Sequence, residues 1–266
     1  MKILVTVKQV PDTSGKVAVK DDGTLDRATM QTITNPDDLN AIEAALELKD
    51  KYGYEVIAFC MGPGQAESML RELFAMGIDK AVLVSGREFG GSDTYATSQI
   101  LAAAIDTYGI EKDDIILAGR QAIDGDTAQV GPQIAEKLGL PQVTYAGEIT
   151  KDGNTLTVKR ILEDGYMMVQ IGTPCMITCI KELNTPRYMS VLGVLEAWDK
   201  PIEIYDYAKL ENHPLIDKST IGLKGSPTNI YKSFTPPQKG VGMMLEGDSK
   251  ETTDKLAGIL AGKHII

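Results

Sequence analysis

One glycine- and acid-rich segment has residue types that suit ligand binding. It runs Gly119-Arg120-Gln121-Ala122-Ile123-Asp124-Gly125-Asp126-Thr127-Ala128-Gln129-Val130, between an apolar run that predicts a strand and a periodic pattern that predicts a helix. Gly119 and Gly125 permit backbone conformations that other residues avoid, and Asp126 or Thr127 can cap the helix. Free N–H groups at a helix start bind anions such as phosphate. The segment therefore predicts a phosphate site, with a capped turn that holds no ligand as the alternative.

Residues for acid–base, nucleophilic or metal chemistry are few. His213 and His264 are the two histidines, and neither is paired with a plausible nucleophile. Cys175 and Cys179 lie four residues apart on a predicted strand, which separates them by roughly 13 Å and is too far for them to share a metal ion. No catalytic or metal-binding residue is predicted, and any redox chemistry is assigned to a bound cofactor.

The composition excludes several classes of protein. The 266 residues are 43% hydrophobic and 24% charged, which is typical of a globular rather than a disordered chain. The 27 Lys and Arg are outnumbered by 37 Asp and Glu, so nucleic acid and anionic membrane surfaces are poor partners. Three cysteines are too few for a disulfide framework, and no apolar stretch approaches the ~20 residues that cross a bilayer. A cytoplasmic setting without membrane insertion is expected.

The elements that must position the segment alternate between strand and helix. The first helical pattern opens with Asn35 as N-cap, Pro36 in the first turn, and then Asp37 and Asp38. The fourth is predicted to begin near Thr127. Alternation at this spacing predicts βαβ crossovers and a doubly wound, mostly parallel sheet, which is an α/β fold. Buried strands are predicted at residues 3–7, 56–60, 81–84 and 115–118.

The pattern changes after Pro141. Residues 155–158 and 166–171 predict the strands of a hairpin, and residues 174–180 predict another buried strand. From about Asn184 the chain becomes irregular, with a last helix predicted over residues 249–260.

Polar or glycine-rich segments lie just past the predicted strands. They are residues 6–12, the loop leading to Asn35, residues 61–64 and residues 119–130. The carboxyl ends of strands in an open parallel sheet form the ligand crevice, so nucleotide binding is the natural hypothesis. Neither a G-x-G-x-x-G fingerprint nor a P-loop is present.

Seven short stretches, taken in order along the chain, are characteristic of one protein family. They are Val5-Thr6-Val7-Lys8-Gln9-Val10-Pro11-Asp12, Asn35-Pro36, Met61-Gly62-Pro63, Ala75-Met76-Gly77-Ile78-Asp79, Gly119-Arg120-Gln121-Ala122-Ile123-Asp124, Pro174-Cys175-Met176-Ile177-Thr178 and Asn184-Thr185-Pro186-Arg187-Tyr188. Their order and spacing resemble the beta subunit of an electron-transfer flavoprotein over nearly the whole chain. The resemblance implies a Rossmann-like fold that binds an adenine nucleotide, with a β-hairpin excursion and an extended C-terminal arm.

The resemblance also implies a heterodimer with an alpha subunit and a choice of cofactor. Conventional beta subunits hold a structural AMP, whereas those of the electron-bifurcating type hold FAD. Residues 124–132 are similar to the bifurcating type, and the small residues Gly125 and Ala128 leave room for a dinucleotide, so FAD is expected, with AMP as the alternative. Bifurcation implies NADH as electron donor and two acceptors: an acyl-CoA dehydrogenase reached through the alpha-subunit FAD, and ferredoxin or flavodoxin.

The cofactor contacts that the resemblance implies match the strand ends selected above. Asn35 and the nearby acids are expected to contact ribose or adenine, the backbone amides of residues 127–130 to hold phosphate, and Arg120 to supply a cation. The full set is Thr6, Asn35, Pro36, Asp37, Asp38, Met61, Gly119, Arg120, Gln121, Ala122, Ile123, Asp124, Gly125, Asp126, Thr127, Ala128, Gln129 and Val130.

Three regions follow from the resemblance. Residues 1–183 are expected to form the nucleotide-binding domain, residues 184–208 a partner-recognition region, and residues 209–266 an arm that contacts the alpha subunit. The resemblance places Val191 as the apolar anchor for an acyl-CoA dehydrogenase. The predicted partner-binding residues are Pro186, Arg187, Tyr188 and Val191.

Overall fold

The computed structural model describes residues 1–12, 31–228 and 240–266. Most of the loop predicted to lead to Asn35, and the part of the predicted arm at residues 229–239, lie outside the described residues. The chain divides into two compact units, of which the smaller contains residues 240–266 and the larger contains the other described residues.

A nine-stranded sheet forms the centre of the larger unit. Its strands are β1 (Lys2–Val7), β4 (Glu55–Met61), β5 (Lys80–Val84), β6 (Ile115–Gly119), β7 (Gln142–Asp152), β8 (Thr155–Ile161), β9 (Tyr166–Gly172), β10 (Cys175–Cys179) and β11 (Ile202–Tyr205); a separate pair is formed by β2 (Gln9–Pro11) and β3 (Thr32–Thr34). The spatial order is β11-β5-β4-β1-β6-β10-β7-β8-β9. All pairs from β11 to β7 are parallel, and β8 and β9 add an antiparallel edge. The predicted mostly parallel sheet with a hairpin excursion is confirmed, whereas β11 falls in a stretch predicted to be irregular.

Helices cover both faces of the sheet. Helices α1 (Pro36–Tyr52) and α2 (Glu67–Met76) pack on one face, and α3 (Thr94–Tyr108) and α4 (Val130–Leu138) pack on the other. Alternate residues of β1 supply the two cores: Ile3 and Val5 point to the α1 side, and Leu4 points to the α3 side. This is the doubly wound arrangement that the alternating pattern predicts. The shorter helices of the larger unit are α5 (Val191–Glu196), α6 (Tyr207–Leu210) and α7 (Gly222–Gly225).

Helix α1 begins and ends at the residues that its sequence indicates. Asn35 is the N-cap, Pro36 is the first helical residue, and Gly53 ends the helix with a φ of 75°. The first turn buries Asp37 and Asp38, and Glu43 is buried further along the helix. Buried carboxylates require partners, and those partners lie on the segments that form the functional sites.

Helix α4 begins at Val130, three residues later than predicted. Asp126 and Ala128 have φ values of 49° and 51°, which are left-handed and incompatible with a helix. The later start places Pro132 in the first turn, where a missing N–H group costs no helical hydrogen bond.

Residues 207–228, most of them predicted as the beginning of an arm, pack on the larger unit. Leu210, Ile216 and Ile221 are buried in the core on the α3 side of the sheet. The predicted boundary at residue 209 therefore lies too early. The described residues of the smaller unit contain one helix, α8 (Ser249–Gly262), capped by the side chain of Asp248. Among the described residues, no helix combines the length and the apolar character needed to cross a bilayer.

Gly119 ends β6 where the backbone of α1 approaches it closely. A Cβ added to Gly119 would lie 2.6 Å from the backbone of Asp37 and of Asp38. We expect Gly119→Ala to lower the free energy of unfolding by about 1–3 kcal/mol in urea titrations, because the first turn of α1 must move. The control is Gly125→Ala, since a Cβ there has no neighbour within 4 Å among the described residues. Equal losses in the two variants would contradict this account.

Candidate functional site

A cavity lies at the carboxyl ends of the parallel strands. Strands β1 and β6 are neighbours there, and the sheet continues to β4 and β5 on one side and to β10 and β7 on the other. Such a switch point is where open α/β sheets bind ligands. The cavity has a volume of about 570 Å³, within the range of roughly 300–1,000 Å³ that is typical of small-molecule sites.

Two walls enclose the cavity. The first wall consists of the ends of β1, β4 and β6 with residues 119–131, and the second wall consists of the end of β5 and the start of α3. The Thr94 hydroxyl donates to Gln129 Oε1 over 3.0 Å and joins the walls at the rim. The predicted cofactor residues that line the cavity are Thr6, Asp38, Met61, Gly119, Arg120, Gln121, Ala122, Gly125, Thr127, Ala128, Gln129 and Val130; those that do not are Asn35, Pro36, Asp37, Ile123, Asp124 and Asp126.

Asn35 is buried, and its side chain binds the backbone of the glycine-rich segment. Its Nδ2 donates to the carbonyl oxygen of Gln121 over 2.8 Å, and its Oδ1 accepts from the N–H of Ile123 over 3.1 Å. The amide that was expected to contact ribose or adenine is therefore engaged within the protein. Asn35 fixes the shape of the segment instead.

Asp38 joins two strand ends at the switch point. Its Oδ2 accepts from the N–H of Lys8, just after β1, over 2.8 Å, and its Oδ1 accepts from the N–H of Gly119, at the end of β6, over 3.1 Å. Burial raises the pKa of Asp38 to about 7, although the hydrogen bonds from Asn35, Lys8 and Gly119 act in the opposite direction. Asp38 is thus a cavity-lining carboxyl whose oxygens are already used by the backbone.

Two ion pairs bring cations to the first wall. Lys8 Nζ lies 2.7 and 2.8 Å from the two carboxylate oxygens of Asp124. Arg120 Nε lies 3.2 Å from Asp37 Oδ2. Burial raises the pKa of Asp37, and the Arg120 guanidinium opposes that shift. Lys8 and Arg120 line the cavity, whereas their carboxylate partners do not, so the wall presents positive charge in a chain whose net charge is −10.

The backbone of the segment is strained at two residues, Ala128 in the cavity wall and Asp126 just outside it. Left-handed φ values at Asp126 and Ala128 are costly for residues other than glycine, and such strain is concentrated at functional sites. The N–H groups of Gly125 and Asp126 donate to the Ala122 carbonyl. For residues 127–129, no acceptor for the N–H groups lies within the described ranges. Adjacent N–H groups without acceptors, at a cavity wall, can bind phosphate.

The second wall was missed by the sequence reasoning. Ser85 and Gly86 follow β5 directly, and Ser92 to Thr97 bring the N-terminus of α3 to the cavity. Asp93 caps α3 and accepts from Ala96 and Thr228; despite its partial desolvation, these hydrogen bonds lower the pKa of its carboxyl. The signal was available, because Ser85-Gly86 ends a strand of the same parallel sheet and should have been placed at the same crevice.

The four predicted partner-binding residues have different surroundings. Tyr188 and Val191 are exposed, and Pro186 is half-buried. The Arg187 guanidinium binds the carboxylates of Glu43 and Asp50 on α1. The structure therefore separates an exposed apolar pair from an arginine that is engaged with its own chain.

The cysteines are buried, as predicted. Burial raises the pKa of the Cys60 and Cys175 thiols to about 12, which keeps both neutral. In the part of the chain that the structure describes, no cluster of three or more His, Cys, Asp or Glu side chains has the arrangement to hold a metal ion.

Titration of Asp38 gives a pH test of its environment. Between its unfolded value of 3.8 and its native value of about 7, the folded chain keeps a proton that the unfolded chain has released. The stabilising contribution of this group is therefore full below the lower value and is lost as the pH rises through the higher one. We expect the free energy of unfolding of the wild type, minus that of Asp38→Asn, to fall by on the order of a few kcal/mol between about pH 4 and about pH 8. A constant difference would mean that folding leaves the pKa of Asp38 unchanged.

Comparisons with known proteins give the family of the chain. The electron transfer flavoprotein domain matches residues 22–210. The acryloyl-CoA reductase electron transfer subunit gamma of Anaerotignum propionicum is 62% identical over 267 residues, and the caffeyl-CoA reductase-Etf complex subunit CarD of Acetobacterium woodii is 49% identical over 268 residues. The electron transfer flavoprotein subunit beta of Clostridium acetobutylicum is 48% identical over 266 residues, and in all three cases 100% of both chains is covered. The chain therefore belongs to the electron transfer flavoprotein family, as a beta-subunit chain.

Proposed function

We propose that this chain is the beta subunit of an electron-bifurcating electron-transfer flavoprotein and binds FAD in the cavity at the switch point. The observation that carries the proposal is the extent of the cavity, which continues from the glycine-rich first wall to the second wall at the start of α3. We expect a mononucleotide to occupy the first wall and the longer FAD to reach the second wall as well. The names of two relatives include an acyl-CoA reductase, which supports an acyl-CoA reductase as a partner of the complex.

The residues of the first wall fit the phosphate part of the cofactor. Residues 127–129 line the cavity, and their N–H groups have no acceptor within the described residues. Lys8 and Arg120 supply charge beside them, and Gly125 leaves its side of the wall open. Asp38 and Asn35 keep the segment in place through the backbone bonds described above. These groups bind and orient the cofactor and move no proton in the reaction.

Bound FAD would supply the redox chemistry: oxidation of NADH by hydride transfer, with one electron leaving for the alpha-subunit FAD and an acyl-CoA dehydrogenase and the other for ferredoxin or flavodoxin. This chain has the task of excluding water from that cofactor and holding it between two walls. The buried thiols of Cys60 and Cys175 stay neutral and do not take part.

The alternative function is a structural one, in which the cavity holds AMP and the alpha subunit carries the only FAD. Its supporting observation is that, among the described residues that line the cavity, both cations, Lys8 and Arg120, lie on the first wall. The two functions differ in what the second wall does, and that difference can be measured.

Two further surfaces complete the proposal. The exposed apolar residues around Val191 would dock an acyl-CoA dehydrogenase or reductase. The smaller unit, with α8, would contact the alpha subunit; its exposed apolar residues Leu256, Ile265 and Ile266 are the side chains that such a contact would cover.

Thr97→Phe tests whether the second wall holds cofactor. Thr97 lines this wall, and a phenyl ring there would occupy space that FAD needs and AMP does not. We expect the denatured wild-type heterodimer to release about two FAD and the variant about one. Thr97→Ser is the control and should release as much as the wild type. One FAD with AMP from the wild type, unchanged in Thr97→Phe, would support the structural function instead.

Val191→Ala tests the docking surface. Val191 is 82% exposed, so shortening it removes apolar contact area from a partner without opening a cavity in this chain. We expect the KM for the acyl-CoA reductase to rise by about fivefold to tenfold, measured with the heterodimer at varied reductase concentration. Flavin content should stay at the wild-type value, and its loss together with transfer would indicate misfolding rather than a docking defect.

A further inference from the structure

The docking surface is carried by a segment that does not hold its own conformation. Tyr188, Val191, Leu195 and Trp198 expose 96%, 82%, 69% and 69% of their surface. They lie on or beside α5, which has six residues, none of them buried. A helix of that length is unstable alone in water. Its position must therefore be imposed by attachments to the rest of the larger unit.

Arg187, directly before this surface, is bound to α1 by several hydrogen bonds. Its backbone N–H and its Nε both donate to Glu43 Oε2 over 2.9 Å. Its Nη2 donates to Glu43 Oε1 and to Asp50 Oδ2, each over 2.9 Å. The fork of a guanidinium matches a carboxylate in two bonds at once, which fixes direction as well as distance.

The acceptor side of this attachment is a set of acidic residues on one helix. Glu43, Glu47 and Asp50 follow one another along α1, and the Glu43 side chain exposes only 7% of its surface. Burial raises the pKa of Glu47, and the charge of Glu43 raises it further, while Arg187 lowers it. Without the guanidinium, a buried carboxylate would be left beside two like charges, which is unfavourable. Arg187 and Glu43 therefore depend on each other.

Weaker attachments continue on either side. Asn184 and Asn40 exchange side-chain hydrogen bonds of 2.9–3.0 Å. The Ser190 N–H donates to the Ala75 carbonyl over 3.3 Å, and the Ser190 hydroxyl caps α5. Arg187 is the charged attachment before α5 and lies next to the first exposed aromatic residue, Tyr188. After α5, the Arg71 guanidinium donates to the carbonyl oxygens of Ala197 and Lys200.

We infer that Arg187 is a positioning residue: by binding Glu43 and Asp50 it holds the apolar surface of residues 188–198 in the orientation that docks an acyl-CoA reductase, without itself contacting that partner. The inference rests on the proposed function and specifies how its docking surface is held. It also revises the role expected for Arg187, from direct contact to support.

A double-mutant cycle separates support from contact. Arg187→Gln, Glu43→Gln and the double variant are prepared as heterodimers with the alpha subunit, and KM and kcat are measured with the acryloyl-CoA reductase of Anaerotignum propionicum as the probe. We expect each single variant to raise KM about tenfold and the double variant to raise it no further, because both remove the same bond. Arg187→Lys keeps the charge but loses the fork, and should give an intermediate KM.

The matched control is Lys112→Gln. Lys112 is an exposed cation in the turn before β6, and its loss should leave KM unchanged. Hydrogen exchange of residues 188–198, measured by mass spectrometry, provides a readout without a partner. Exchange there should be faster in Arg187→Gln and in Glu43→Gln, while flavin content stays at the wild-type value.

Two results would overturn the inference. If Glu43→Gln leaves KM and exchange at wild-type values, or if the effects of the two single variants multiply in the double variant, Arg187 contacts the partner directly. If the proposed docking surface itself is wrong, Val191→Ala would also leave KM unchanged. That result distinguishes failure of the proposed function from failure of this inference.

Discussion

The carboxyl group of Asp38 is the contact on which the cavity at the switch point depends. It accepts the N–H groups of Lys8 and Gly119 and so ties the ends of β1 and β6 together at the point where the sheet reverses its order. The same first turn of α1 supplies Asn35, which holds the backbone at Gln121 and Ile123. Buried polar groups that are fully bonded make a structure specific. Here they set the backbone path of a loop whose own residues include two strained positions.

This arrangement explains how an acidic chain could offer a site for the anionic cofactor that we propose. The overall field of a protein with net charge −10 opposes phosphate. Local groups oppose this negative field at the first wall, where Lys8, Arg120 and residues 127–129 line the same cavity. Each cation is held by a carboxylate outside the cavity, so its position is fixed before a ligand arrives. Fixed groups need little rearrangement on binding.

Helix α1 serves both functional regions. Its first turn fixes the glycine-rich segment that begins at Gly119, and its middle turns bind the segment that carries the apolar surface. In both places a buried acidic side chain of the helix accepts hydrogen bonds from a segment that is distant in sequence. Both the proposed cofactor site and the proposed docking surface are therefore attached to the same helix. The packing of α1 on the sheet sets the positions of both.

The strand–helix alternation, the two faces of the sheet and the start of α1 at Asn35 were readable from the sequence, because they depend on periodicity and on capping residues that act locally. The sequence also pointed to residues 119–130, since Gly119 and Gly125 mark unusual backbone. It did not show that α4 begins at Val130, because the residue types alone do not indicate the left-handed conformations of Asp126 and Ala128.

The side-chain partners were decided by the tertiary structure alone. Asn35, Asp37 and Asp38 are adjacent in the chain, yet one binds a loop backbone, one pairs with Arg120 and one joins two strand ends. The second wall, at Ser85 and Thr97, likewise depends on which strands become neighbours. A local pattern determines which elements form, whereas hydrogen bonds between residues some 80 to 140 positions apart exist only once the sheet order is set. The family and its fold were thus present in the sequence, and the roles of individual polar residues came from the assembled fold.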